Sequence, residues 1–229
     1  MNKTKIEWVR NPDGTQGYTW NPIVGCTGTK CAVAKECYAR RTAKRFRQRC
    51  SDCYEFKPHL HPKRLGQTNT RKPRGIFVCS MGDLFDTNLV TADKYKVLRE
   101  IIINYWNRYY ILTKQQQNLG MWRDYFDLRL CWIGVTVNRR SDLWRIDELR
   151  KNQSKVRFIS FEPLMEDLGE VNLEGINWII IGAQTKPEVQ PPELAVSHLA
   201  IQAEKLEIPV FCKNNLGCLW KPRQEFPKV

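Results

Sequence analysis

Residues 75–86 read GIFVCSMGDLFD. A short apolar run from Gly75 breaks off at Ser80 and gives way to the polar turn around Gly82 and Asp83. The same unit recurs along the chain. Tyr109–Leu112 ends on Thr113 and Lys114, Cys131–Val137 on Asn138, and Val156–Phe161 on Glu162. Trp178–Ala183 then ends on Gln184 and Thr185, and Ile208–Cys212 on Lys213 and Asn214. Continuous apolar strands, rather than alternating ones, belong to parallel sheets covered on both faces. Between them lie helical stretches at about 92–105, 119–126, 142–151 and 192–206. In the first of these, Tyr95, Leu98, Ile101, Ile102 and Tyr105 recur near helical spacing.

An earlier run, Tyr18–Val24, supplies a seventh strand, kept irregular or near an edge by Pro22. No Gly-rich phosphate loop follows it, which argues against a dinucleotide fold. The expectation is an α/β chain forming one domain over 1–229: a partial or irregular (β/α) barrel with about six or seven parallel strands. Residues 1–17 read as a polar lead-in with a turn at Pro12-Asp13-Gly14, and Trp8 and Trp20 as packing residues. In such barrels chemistry sits at the carboxyl ends of the strands. That edge carries Ser80, Asp83, Thr113, Lys114, Thr136, Asn138, Glu162, Gln184, Thr185, Lys213 and Asn214.

The first strand leads into three cysteines, Cys26, Cys31 and Cys37, followed by a helical segment from Tyr38 to Phe46. Three thiols in one loop between a strand and a helix suit iron–sulfur ligation with one position left free. A zinc knuckle or inert thiols are the other readings. A second group follows: Cys50, Cys53, His59 and His61. The C-x-x-C pair has the bite of a zinc site, though two histidines one residue apart are unusual for a finger. The alternative is a pair of reduced thiols with two phosphate-facing histidines.

The chain has 229 residues, nine cysteines and a net charge of +13. It is long enough to bury a core without disulfides. No apolar leader opens it and no apolar run reaches membrane-spanning length, so a cytoplasmic protein with cysteines used as ligands is expected. The charge is concentrated. Arg40–Arg74 holds 12 Lys or Arg against Asp52 and Glu55, a local balance of 12 − 2 = +10. Aromatic residues and histidines are interleaved with the charges. A nucleic-acid partner is the expectation, with Arg40, Arg41, Lys44, Arg45, Arg47 and Arg49 facing phosphates. A solvated, solubilising face is the plainer reading. Ala39, Ala43 and Phe46 are expected to turn inward.

Taken in order, YTWNPIVGC…CYARRTAKRF, FVCSMGDLFD, ILTK, WIGVTVN, RFISFEPL, WIIIGAQT and IPVFCKNN resemble a radical-SAM-like, three-cysteine family of phages and prokaryotes. That family has no assigned substrate and is distantly similar to spore photoproduct lyase. The resemblance spans about Tyr18 to Asn215. It implies a barrel of the radical-SAM type with a Cys/His-containing basic insertion at about 47–74. It also implies a [4Fe-4S] cluster on Cys26, Cys31 and Cys37, with S-adenosylmethionine on the open iron. Ser80, Thr113, Lys114, Asn138, Glu162, Gln184 and Lys213 become candidates to hold that cofactor, Glu162 through its amine or ribose. A flavodoxin or ferredoxin would supply electrons. The chain departs from the commonest C-x3-C-x2-C spacing, with four and then five residues between the thiols, so its loop folds differently. Where the family carries Asn, this chain has Cys79, either a radical-quenching catalytic thiol or a core residue.

The resulting expectation is a radical enzyme acting on a nucleic-acid base or nucleotide, in DNA or tRNA. The alternative is a zinc-stabilised nucleic-acid-binding protein without catalysis. A hard-metal hydrolase is disfavoured by only three histidines and few clustered carboxylates.

Overall fold

A computed structural model describes residues 1–28, 31–122, 131–217 and 223–228. The strands are β1 (Asn2–Lys3), β2 (Tyr18–Trp20), β3 (Ile23–Val24), β4 (His59–Leu60), β5 (Gly75–Val78) and β6 (Arg108–Thr113). They continue with β7 (Cys131–Thr136), β8 (Val156–Phe161), β9 (Trp178–Ile181), β10 (Gln184–Thr185), β11 (Glu188–Val189) and β12 (Val210–Cys212). The helices are α1 (Tyr38–Ala43), α2 (Ser51–Glu55), α3 (Thr91–Ile103), α4 (Trp144–Arg150) and α5 (Glu193–Lys205).

The fold is mixed α/β. Eight strands form one sheet in the order β1-β2-β5-β6-β7-β8-β9-β12. Seven of them are parallel, and only β1, at one edge, runs antiparallel to its neighbour. The order never reverses, so the sheet is singly wound. It does not close: β1 and β12 remain its two edges. The β12 edge is covered by the C-terminal segment, where Cys212 N–H donates to the Arg223 carbonyl at 2.6 Å and Phe211 bridges Gln224.

A singly wound sheet sends its helices to one face, and side chains alternate between the faces. Ile76, Val78, Tyr109, Ile111, Ile133, Ile159 and Ile179 share one core with α3, α4 and α5 residues such as Leu98, Leu149 and Leu199. The alternate positions, Phe77, Tyr110, Trp132, Phe158, Trp178 and Phe211, form a separate aromatic core that no helix among the described residues joins. Trp8, from the N-terminal segment, fills that face. Its ring lies 5.0 Å from Phe77, 5.8 Å from Tyr110 and Phe158, and 6.2 Å from Trp178. Gly134 makes room for the same plug, since a Cβ there would sit 2.4 Å from the Phe158 ring.

Several expectations are corrected in detail. The lead-in is structural: it provides β1 and the central tryptophan of the plug. The expected Tyr18–Val24 strand is two pieces, because Pro22 has no N–H for the ladder; after it the chain leaves the sheet and pairs with β4. Gln184 and Thr185 do not prolong β9 but form a small hairpin with β11. The expected helix at 119–126 begins as tight 3-10 turns at Gln116–Asn118 and Gly120–Trp122; its remainder lies outside the described residues. Phe46 is 40% exposed, whereas Ala39 and Ala43 do face inward.

Removing the Trp8 ring leaves a void against four aromatic neighbours. Trp8→Ala is expected to lower unfolding free energy by about 3–5 kcal/mol, read by chemical denaturation, the scale of truncating a buried aromatic. A loss below about 1 kcal/mol would contradict its central place.

Candidate functional site

The GDLFD turn after β5 builds the site with two buried carboxylates. Asp83 gathers the end of β6: the Thr113 hydroxyl lies 2.8 and 2.9 Å from its two oxygens, and Lys114 N–H donates at 2.9 Å. Asp86 anchors the cysteine loop. The Thr27 N–H and hydroxyl donate to one of its oxygens at 2.7 and 2.9 Å, and Gln115 Nε2 donates to the same oxygen at 2.6 Å. One turn beyond β5 thus fixes both the next strand end and the loop that carries Cys26. Gly25 completes the seam. It bridges Gly82, its φ is +91°, and a Cβ on it would lie 2.1 Å from the Lys57 carbonyl oxygen. Only glycine fits there.

Above the aromatic plug lies a cavity of about 810 Å³. Trp8 and Phe77 line it from the plug, and Cys26, Cys31 and Cys37 all line it. So do Lys114, Thr136, Ser160, Glu162, Gln184 and Lys213 from the strand ends. Lys213 Nζ is paired with Glu162 Oε1 in a half-buried ion pair. Burial, reinforced by the negative charges of Asp83, Cys37 and Asp86, pushes the Cys26 thiol up to about 12. A thiolate there calls for a cationic partner. Thr136 Oγ1 is buried with no hydrogen-bond partner among the described residues, in a side chain that borders the cavity. The three thiols are not drawn around one point, as the ligands of a single ion are. Three thiols and an orphaned hydroxyl thus line one cavity.

The remaining strand-end candidates fall in different places. Ser80 borders the cavity, its hydroxyl bonded to Asn21 Oδ1 at 3.1 Å. Cys79 also reaches the cavity wall; it is buried with a left-handed backbone at φ 58°, and burial pushes its thiol up to about 12. Thr113 and Asn138 are not brought to the cavity. Thr113 is spent on Asp83, and Asn138 Nδ2 holds the Pro163 carbonyl at 2.7 Å behind the wall. Asp86, Thr27, Gln115 and Trp8 escaped the sequence reading as site builders. The one available signal for Asp86 was its place in the turn that already held Asp83.

A second cluster sits beside the cysteine loop. Cys50, Cys53, His59 and His61 bring one ligand atom each within 4.8 Å of one another. Cys50 caps α2 and Cys53 lies in its first turn, so the i, i+3 spacing puts both thiols on one side. His59 is in β4 and His61 follows in extended backbone, so the i, i+2 spacing puts both imidazoles on one face. This explains a pair that looks odd by helical finger spacing. Burial, the Arg64 charge and the His59 charge lower the His61 imidazole to about 4. It is therefore neutral and free to ligate. The four residues can hold a metal such as zinc.

Of the basic block, Arg41, Lys44, Arg45, Arg47 and Arg49 are exposed. Arg41 also borders the cavity. Arg40 is half-buried, its guanidinium 5.2 Å from the Phe56 ring centre. No helix among the described residues is long and apolar enough to cross a membrane.

A family profile described as protein of unknown function (DUF5131) matches residues 3–224. The chain belongs to that family. No curated protein and no solved structure matches it. The family match takes in both cysteine clusters, the strand-end residues and the basic block.

Burial raises the Asp83 carboxyl above its ordinary 3.8, against the opposing pull of its hydrogen bonds. The folded chain therefore holds this proton more tightly than the unfolded chain. Stability should fall as pH rises from 3.8 through the folded value, and level off above it. In denaturation measured across that acid range, Asp83→Asn should remove this downward slope. An unchanged profile would show that Asp83 does not set it.

Proposed function

We propose that this chain is an iron–sulfur, S-adenosylmethionine-dependent radical enzyme acting on a nucleic-acid base or nucleotide. One observation carries the reading: the three loop cysteines and the polar strand ends of a singly wound parallel sheet line the same cavity. Cys26, Cys31 and Cys37 would hold a [4Fe-4S] cluster. When bound, cluster and cofactor supply one-electron cleavage of a sulfonium and hydrogen abstraction from substrate; that chemistry is theirs. The chain contributes position and exclusion. The Glu162 carboxylate accepts from the cofactor's amine or ribose, and Lys213 holds that carboxylate in place. Lys114 offers a cation for a carboxylate, Gln184 and Thr136 offer hydrogen bonds, and the aromatic plug keeps water out from below. Exposed Arg41, Lys44, Arg45, Arg47 and Arg49 lead away from the cavity rim and suit phosphates. A flavodoxin- or ferredoxin-like donor would deliver the electrons.

The second reading, a zinc-stabilised nucleic-acid-binding protein without catalysis, is favoured by the Cys50–His61 cluster alone. Anaerobic purification separates the two. The enzyme reading predicts brown protein with thiolate-to-iron charge-transfer absorption, lost in Cys26→Ala and in Cys37→Ala. Colourless protein holding only zinc would favour the second reading. Glu162→Ala should weaken S-adenosylmethionine binding about tenfold or more, measured by calorimetry, the scale of one lost charge-assisted hydrogen bond. Unchanged affinity would take Glu162 out of the site.

The nucleic-acid part has its own test. Binding should weaken with salt at a log–log slope of about −0.7 to −0.9 per neutralised phosphate. Reversing the charge of Arg45 and Arg47 should flatten the total slope by about one to two units while iron content stays unchanged. Salt-insensitive binding would reduce the block to a solubilising face and point to a small-molecule substrate.

A further inference from the structure

Cys50, Cys53, His59 and His61 do not border the cavity, so the proposed chemistry leaves them unused. Their four ligand atoms are drawn together as around a single ion. The edges of a tetrahedron built on zinc bonds of about 2.0–2.3 Å are about 3.3–3.8 Å. The sulfur–nitrogen separations are 3.4 Å for Cys50–His59, 3.5 Å for Cys53–His59 and 3.3 Å for Cys53–His61. The two imidazole Nε2 atoms lie 3.0 Å apart. His59 turns its other nitrogen, Nδ1, to the Lys57 carbonyl at 2.8 Å. A backbone carbonyl on the far nitrogen is the usual way a metal-bound histidine is oriented. Two sulfurs and two imidazoles are too soft a set for calcium or magnesium. Four protein ligands leave no position for a substrate.

We propose that these four residues form a structural zinc centre that clamps the base of the three-cysteine loop. The connection is short. His59 pairs with Val24 and Leu60 with Ile23 in the antiparallel β3–β4 pair. The next residue, Gly25, packs against the Lys57 carbonyl, and Cys26 follows it. α2 and β4 are both very short, five and two residues, so a metal would add to the small apolar cluster of Val24, Ala39, Ala43, Cys53 and Phe56 that places this insertion. Zinc joins the two, and the β3–β4 pair passes the constraint to Cys26. The centre shares no ligand with the cavity, so it stands or falls apart from the proposed enzyme activity.

The test is elemental analysis of the purified full chain, followed by hydrogen exchange before and after zinc chelation. One zinc per chain is expected, retained in Cys26→Ala and lost in Cys50→Ser and in His61→Ala. Chelation should speed exchange at residues 23–28 and 47–61 by about tenfold or more while α3 and α5 keep their protection. Cobalt reconstitution of the chelated wild type needs no variant to fold, and should give a tetrahedral spectrum with thiolate charge transfer. Full zinc content in Cys50→Ser, or a cobalt form without thiolate bands, would overturn the site. Unchanged exchange at 23–28 on zinc removal would overturn the clamp. Zinc-replete protein without iron would leave the clamp standing and sink only the radical-enzyme reading.

Discussion

A singly wound sheet has one face without helices, and that face must still be kept from water. Here the constraint is met by aromatic residues at alternate positions of six strands, closed from outside by Trp8. The plug fills only part of this face. At the carboxyl ends the same inward positions become Leu112, Thr136, Ser160, Glu162 and Lys213, and the space opens into the cavity. The depth and polarity of the site thus follow from where the aromatic row stops. Burying large aromatics contributes much of the core, and the polar upper ring costs part of that gain.

The loop of three cysteines has little regular structure of its own, so its position is borrowed. On one side it hangs from Asp86 through Thr27, and on the other it leans on Lys57 and the β3–β4 strand pair through Gly25. Asp83 and Asp86 make these anchors with buried side-chain oxygens that each accept several hydrogen bonds. The basic segment leaves this loop by α1, whose small residues Ala39 and Ala43 let it pack closely while Arg41 stays exposed and Arg40 lies over Phe56.

The sheet was legible in the sequence because parallel strands are apolar on both faces and end on abrupt polar residues. Seven such runs correspond to seven parallel strands, though in an open sheet. What pattern could not reveal was long-range: Trp8 is a lone tryptophan in a polar stretch, and its partners come from strands far along the chain. Thr27 and Asp86 likewise meet only in three dimensions, 59 residues apart. Thr113 and Asn138 read as site residues because strand-end position alone does not say which way a side chain is spent. The Cys50–His61 group was visible as ligands, but its geometry was not, since the histidine spacing makes sense only on an extended strand.

The central claim is that one cavity holds an iron cluster on Cys26, Cys31 and Cys37 beside a cofactor on the strand ends. Anaerobic crystals grown with S-adenosylmethionine, with anomalous data at the iron and zinc edges, test it most directly. The account predicts iron density inside the cavity against those three thiols, with cofactor density reaching Glu162. Iron absent from the cavity, or the cofactor lying elsewhere, would contradict it.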